Sequence, residues 1–99
     1  IPYTPAQVEL WKVEAEAYLN NMADAFKGKR IRVSSQVRVG DTAHEIIRFA
    51  DEVHADLVAM STHGRSGISR WALGSTADKV LRAGNTSLFL VRAAGTKNG

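Results

Sequence analysis

Apolar residues recur at helical spacing along the first quarter of the chain. The segment begins with Thr4 as a cap residue, Pro5 at the first helical position and Gln7 three residues after the cap, which is typical of a helix start. Gly28 supplies a stop. The pattern therefore predicts a long amphipathic helix with one buried face, formed by Val8, Trp11, Ala15, Leu19, Met22, Ala23 and Phe26.

Residues 31–39 change to a period of two. Ile31, Val33, Val37 and Val39 alternate with polar residues, which predicts a half-exposed strand near a sheet edge. A turn is expected at residues 40–42. Thr42 and Glu45 then fit a capping box for a second helix, whose apolar positions are Ala43, Ile46, Ile47, Ala50 and Val53.

Two apolar runs lack any alternation, at residues 57–60 and 87–91, as expected for strands covered on both faces. A glycine-bearing loop and a third helix, residues 76–83, separate them. The order helix, strand, helix, strand, loop, helix, strand predicts right-handed parallel crossovers and an open α/β parallel sheet.

Composition limits the possible classes of protein. At 99 residues and 44% hydrophobic, the chain fits one globular domain. It has no cysteine, no apolar run of the ~20 residues that span a bilayer and no signal-peptide pattern, so we expect a cytoplasmic protein without a membrane partner. The net charge is +3, and the basic residues are scattered among acidic ones instead of forming a block, so we expect no nucleic-acid partner.

The loop that follows residue 60 carries the candidate chemistry. A strand feeds a loop with Gly64, Gly67 and Gly74, and the loop feeds a helix N-terminus. Glycines let backbone amides approach an anion closely, and the first helical N–H groups favour negative charge. We predict that the amides of Gly64, Gly74, Ser75 and Thr76 bind phosphate, with the Ser75 hydroxyl either contacting phosphate or capping the helix.

Other site chemistries find little support near the loop. Arg65 either pairs with a terminal phosphate or is simply solvated. His63 has no Asp, Glu or Cys at ligand spacing, so no metal site is predicted. Ser66 lacks the Gly-x-Ser-x-Gly elbow, and no Walker sequence occurs, so we assign no catalytic residue.

The same loop resembles the nucleotide-binding signature of universal stress proteins. Met60-Ser61-Thr62-His63-Gly64, nine further residues and then Gly74-Ser75 match the family pattern of glycine, two residues, glycine, nine residues, glycine and Ser or Thr. The resemblance implies a Rossmann-like fold of the adenine-nucleotide alpha hydrolase type and ATP as cofactor, with Mg²⁺ as an allowed companion. It places nucleotide contacts at Met60, Ser61, Gly64, Arg65, Gly67, Gly74, Ser75 and Thr76.

The chain departs from the family pattern in two ways. Ser61 stands where the family has its first glycine. Family domains also begin with a strand, helix and strand that carry an acidic contact to adenine, and none precedes Ile1. We therefore expect residues 1–92 to be the C-terminal part of such a domain, lacking the adenine half of the site, and residues 93–99 to be a flexible tail.

The departure also bears on association. Without its neighbours, the predicted strand at residues 31–39 would leave backbone groups unpaired. We expect the chain to be a homo-oligomer, a dimer that is strand-exchanged or completed by the missing fragment, and the resemblance implies that the last strand takes part in dimerisation.

Three functions remain open. The first is an ATP-binding stress-response or regulatory module with at most slow hydrolysis. The second is a dimerisation or interaction module of the same fold that binds no nucleotide, which Ser61 favours. The third is an enzyme acting on a phosphorylated metabolite, which rests only on the anion site.

Overall fold

The structure is a computed structural model that describes residues 3–61 and 73–92 of the chain. The described residues form helices α1 (Pro5–Asp24), α2 (Thr42–Glu52) and α3 (Ser75–Ala83) and strands β1 (Leu57–Ser61) and β2 (Ser87–Val91). The chain divides into two compact units, Ile1–Arg38 and Val39–Gly99, which we call the first and the second unit. Within the described ranges, no helix has the combination of length and hydropathy that a bilayer-spanning segment needs.

Helix α1 of the first unit starts as predicted. The backbone N–H of Gln7 donates to Thr4 Oγ1 at 3.1 Å, and the Thr4 N–H donates to Gln7 Oε1 at 3.0 Å, which completes a capping box. The helix ends at Asp24, and turns continue to Gly28, whose φ of +82° suits glycine.

The predicted buried face of α1 is wrong. No residue of the helix is buried, and Trp11 is 46% exposed. Within the first unit, residues 35–37 line a groove with this helix. This irregular segment is too narrow to cover an apolar stripe of this length, and the large side chains Trp11, Met22 and Phe26 stay exposed.

The strand predicted at residues 31–39 is also wrong. These residues have no regular secondary structure, and residues 30–37 make no backbone hydrogen bond to any residue that the structure describes. A strand exists only when a neighbouring strand accepts and donates its backbone hydrogen bonds. Alternation in the sequence shows that a segment could form a strand, but it does not supply the neighbour.

The second unit has the predicted parallel crossover. Strands β1 and β2 pair in parallel, from Leu57 opposite Ser87 to Ser61 opposite Val91, and α3 lies between them in sequence. Helices α2 and α3 pack against each other, and the buried residues of this small core are Ala43, Ala50, Ala77 and Val80. The α/β class with an open parallel sheet is therefore confirmed.

The predicted burial of both strand faces is wrong. Val58 lies with Ile47 of α2 and Val80 of α3 around a small cavity, so these helices cover one face of the sheet. On the other face, which we call the outer sheet face, Leu57 is 53% exposed and Phe89 is 55% exposed. A continuous apolar run indicates that both faces of a strand can be covered. Within the described part of the second unit, the helices cover only one face of the sheet.

Helix α2 forms as predicted, but with a different cap. Asp41, not Thr42, is the N-cap residue, and its Oδ2 accepts the His44 N–H at 3.0 Å. Where a turn was expected at residues 40–42, the chain bends at Gly40, which has a φ of +148°, and the helix already begins at Thr42. Both Asp41 and Thr42 are good cap residues, so the sequence alone defines the start of α2 only to within one residue.

Candidate phosphate-binding site

The candidate site lies where β1 ends and α3 begins. Because β1 and β2 are parallel and α3 connects them, the N-terminus of α3 belongs to the carboxyl end of the sheet. Met60 and Ser61 are the last residues of β1, with Met60 half-buried and Ser61 exposed. This end of an open parallel α/β sheet is where ligands of such folds bind.

Gly74 is the N-cap residue of α3. Its backbone is extended, with φ of −69° and ψ of 161°, and its carbonyl oxygen accepts the Asp78 N–H at 2.9 Å. Among the described residues, no side chain makes a cap hydrogen bond at this helix, whereas Thr4 caps α1 and Asp41 caps α2. Within this part of the chain, the first-turn amides of α3 therefore lack the side-chain oxygen that the other two helices provide.

Ser75 does not cap α3, which corrects one of its two predicted roles. It is the first helical residue, so α3 starts one residue earlier than predicted. Its side chain is exposed at the helix N-terminus. Because the N-cap residue is a glycine, it supplies no side-chain oxygen to the first-turn amides of α3, and the partial positive charge of these amides favours an anion.

Asp78 adds a negative charge to the first turn of α3, and Arg82 offsets it. The Arg82 Nε donates to Asp78 Oδ1 at 2.9 Å across one turn of the helix. The sequence analysis missed this pair, although the i, i+4 spacing of an acid and an arginine signals it. The pairing reduces the repulsion that an unpaired carboxylate would exert on an incoming anion.

The structure describes five of the eight residues predicted to contact nucleotide. It places Met60 and Ser61 at the end of β1, and Gly74, Ser75 and Thr76 at the start of α3. Gly64, Arg65 and Gly67 were also predicted to contact nucleotide, and they lie outside the described residues. His63 and Ser66 also lie there.

Among the described residues, neither a metal cluster nor the groove beside α1 adds a second candidate site. In the part of the chain that the structure describes, no three His, Asp or Glu side chains cluster closely enough to hold a metal ion. The first unit contains an open groove of about 320 Å³, which sequence reasoning missed because the face of α1 was expected to be core. Lys12 and Glu16 place opposite charges on its wall, so the groove has no net charge preference from them.

Comparison with known proteins gives a consistent family. The sequence model of the Universal stress protein family matches residues 2–92. A universal stress protein of Methanocaldococcus jannaschii is 30% identical over 84 residues, which are 85% of this chain and 49% of that protein.

Bacterial relatives match over a similar range. Universal stress protein G of Shigella flexneri is 35% identical over 79 residues, 80% of this chain and 55% of that protein. Universal stress protein YxiE of Bacillus subtilis is 28% identical over 81 residues, 82% of this chain and 55% of that protein. The chain spans about half the length of these curated relatives. With a family match over nearly all of its residues, the chain belongs to the Universal stress protein family.

Proposed function

We propose that this chain is a stress-response binding module whose ligand is ATP, held by its phosphates at the N-terminus of α3. The observation that carries the proposal is the glycine N-cap. As a glycine, Gly74 offers no side-chain acceptor to the first-turn amides of α3, and no other described residue caps them, at the carboxyl end of β1. Family membership supports the stress-response role.

The residues present fit a phosphate group. The amides of Gly74, Ser75 and Thr76 are the proposed donors to phosphate oxygens, and the exposed Ser75 hydroxyl is a further donor. Gly64, Gly67 and Arg65 complete the proposed loop, with Mg²⁺ as the companion ion of the phosphates. ATP supplies the charged triphosphate that this site would recognise. We assign no catalytic residue, and the proposed role is binding with at most slow hydrolysis.

The adenine end of the ligand has no assigned contact in this proposal. No described residue is assigned to adenine, and Ser61 lies at the end of β1 where the family has a glycine. A second copy of the chain would supply that contact, so the proposed partners are a nucleotide and a homo-oligomer. A cytoplasmic location stays a prediction.

Calorimetric titration of the chain with ATP, AMP and inorganic phosphate tests the proposal. Gly74→Ala is the informative variant, because the extended backbone of Gly74 is accessible to alanine and the helix should still form. The added methyl group sits at the mouth of the amides. We expect ATP binding to weaken about tenfold, since a hydrogen bond to a charged group contributes ~1.5–3 kcal/mol.

Asn85→Ala is the control, because Asn85 is exposed beyond the far end of α3. Unchanged ATP affinity in Gly74→Ala would show that the phosphates bind elsewhere. Binding of phosphate alone, with no preference for ATP over AMP, would point to the enzyme of a phosphorylated metabolite instead.

The outer sheet face favours a second candidate function, a dimerisation module that binds no nucleotide. Leu57, Phe89 and Val91 are large apolar side chains exposed on this face. Apolar side chains clustered on one face are typical of protein–protein contact surfaces. Association of the chain without any calorimetric response to ATP would support this candidate over the first.

A further inference from the structure

A second charged feature lies in the first unit, far along the chain from the proposed phosphate site. Residues 27–38, which we call the basic segment, contain no acidic residue, and none occurs between positions 25 and 40. The cations of the segment are Lys27, Lys29, Arg30, Arg32 and Arg38. These two lysines and three arginines give the segment a local charge of +5 without an acidic residue among them, while the chain as a whole carries +3.

The middle of the basic segment is available to a partner. Residues 27–36 are all exposed. Lys27 Nζ lies 3.3 Å from Asp24 Oδ1, and Arg38 donates to Gln36 Oε1 at 3.0 Å. Lys29, Arg30 and Arg32 have no ion pair with any residue in the described ranges. Within four consecutive positions, three cations are therefore exposed and not neutralised by any carboxylate of the described residues.

The backbone of the segment adds hydrogen-bonding groups. Residues 30–37 make no backbone hydrogen bonds within the described part of the chain. Their N–H groups are therefore further hydrogen-bond donors for an anionic partner. Ser34 and Ser35 are exposed beside the cations and carry hydroxyl donors. Phosphate groups of a polymer accept from all of these groups.

An exposed aromatic ring stands at the start of the segment. Phe26 is 40% exposed, and its carbonyl oxygen accepts the Lys29 N–H at 3.1 Å, which fixes the turn between them. Base stacking on aromatic side chains and on guanidinium planes accompanies positive charge in proteins that bind single strands. Phe26, Arg30 and Arg32 supply these two kinds of surface.

Two alternative anionic partners fit less well. A bilayer surface binds amphipathic helices, but residues 31–39 are irregular. Because burying their unpaired backbone groups in an apolar layer is costly, a membrane surface fits this segment less well. The major groove of a duplex admits a helix or a two-stranded ribbon, and the segment is neither.

We infer that the basic segment binds single-stranded nucleic acid, mainly through phosphate contacts and without sequence preference. The expectation of no nucleic-acid partner rested on the charge balance of the whole chain. The local charge, exposure and unpaired backbone of residues 27–38 support the opposite conclusion for this segment. The inference does not depend on the proposed ATP site, which lies in the second unit.

Fluorescence anisotropy of a labelled twenty-nucleotide oligothymidine, titrated with the full chain at several salt concentrations, tests the inference. Each phosphate contact on a single strand contributes about −0.7 to the slope of log K against log salt. We expect the triple variant Lys29→Gln, Arg30→Gln, Arg32→Gln to make the slope shallower by about 2, since it removes three contacts. Its affinity at low salt should fall more than tenfold.

The matched control removes the same charge elsewhere. Arg48→Gln, Lys79→Gln and Arg92→Gln change exposed cations of the second unit. We expect this control to retain most of the affinity and the original slope. Circular dichroism of both triple variants verifies that the helices are intact, which is expected because all six side chains are exposed.

Three results would overturn the inference. Equal losses in the two triple variants would mean that net charge alone attracts the oligonucleotide. Equal affinity for the annealed duplex would remove the preference for single strands. Binding to vesicles of anionic lipid, with no anisotropy change for the oligonucleotide, would assign the basic segment to a membrane surface.

Discussion

At the residue scale, the important feature of the proposed phosphate site is a side chain that is missing. Thr4 and Asp41 each place an oxygen on the first-turn amides of their helices, and Gly74 places none on α3. A cap oxygen and a phosphate oxygen would occupy the same position, because both accept from the same N–H groups. Changing the residue at position 74 therefore exchanges one acceptor for the other.

Gly74→Asp is expected to separate stability from binding. A carboxylate at the N-cap would accept from the first turn of α3, and replacing glycine by aspartate there stabilises a helix by a few tenths, ~0.3 kcal/mol. The same carboxylate would repel phosphate and occupy its donors, so ATP affinity should fall by about tenfold or more. Thermal unfolding and calorimetry of the one variant give both quantities.

Asn85→Asp is the matched control for this change. It adds one negative charge at an exposed position beyond the opposite end of α3 and preserves side-chain shape. ATP affinity should stay close to that of the original chain. If Gly74→Asp and Asn85→Asp weakened ATP to the same degree, the effect would be long-range repulsion and not loss of the amide donors.

Asp41 and Ser75 both stand at helix starts, and their replacement by alanine is expected to affect stability to different degrees. Asp41→Ala removes the acceptor of the His44 N–H, so it should lower the free energy of unfolding by about 1 kcal/mol. Ser75→Ala removes no cap hydrogen bond and should change it by less than about 0.5 kcal/mol. Urea unfolding of both variants compares them directly, and a larger loss for Ser75→Ala would mean that its hydroxyl caps α3 after all.

At the scale of elements, local sequence signals predicted the helices and one parallel crossover correctly, but they did not predict correctly whether residues 31–39 form a strand. The capping box of α1 and the crossover from β1 through α3 to β2 were predicted because short-range sequence determines them. The strand at residues 31–39 was not correct, since it depends on a neighbour that sequence alternation cannot specify. At the candidate site, the sequence placed Gly74 and Ser75 at the start of α3, but the cap was assigned one residue too late.

The low burial of α1 predicts that it is the least stable helix. None of its residues is buried, whereas α2 buries Ala43 and Ala50, and α3 buries Ala77 and Val80. Helices in proteins derive most of their stability from packing an apolar face, so α1 should open more often than the other two. Amide hydrogen exchange followed by NMR should show faster exchange in the middle of α1 than in α2 and α3.

Thr4→Ala is a useful comparison, because it should accelerate exchange in α1 by removing its cap while leaving α3 unchanged. Slowest exchange in α1 would contradict this ranking. It would mean that the apolar stripe of α1 is covered in solution, by a second copy or by another part of the chain.

At the scale of the whole molecule, the main feature is apolar surface that is exposed to solvent and would be stabilised by a covering partner. The stripe of α1 and the outer sheet face both leave large apolar side chains in solvent, and the chain spans about half the length of its relatives. Burying apolar surface contributes roughly 25 cal/mol per Å². Association that covers the outer sheet face would therefore be favourable, and the net charge of +3 is too small to oppose it strongly.

Phe89→Lys tests whether the outer sheet face is the contact surface. Phe89 is 55% exposed on β2, and a charged side chain there should weaken self-association by about tenfold or more, because it removes apolar contact and introduces a charge that must be desolvated. Leu81→Lys is the control, since Leu81 is 56% exposed but lies on α3. In sedimentation velocity over a range of concentrations, the original chain and Leu81→Lys should associate, and Phe89→Lys should remain monomeric. A chain that sediments as a monomer at every concentration and unfolds cooperatively would show that the outer sheet face needs no partner.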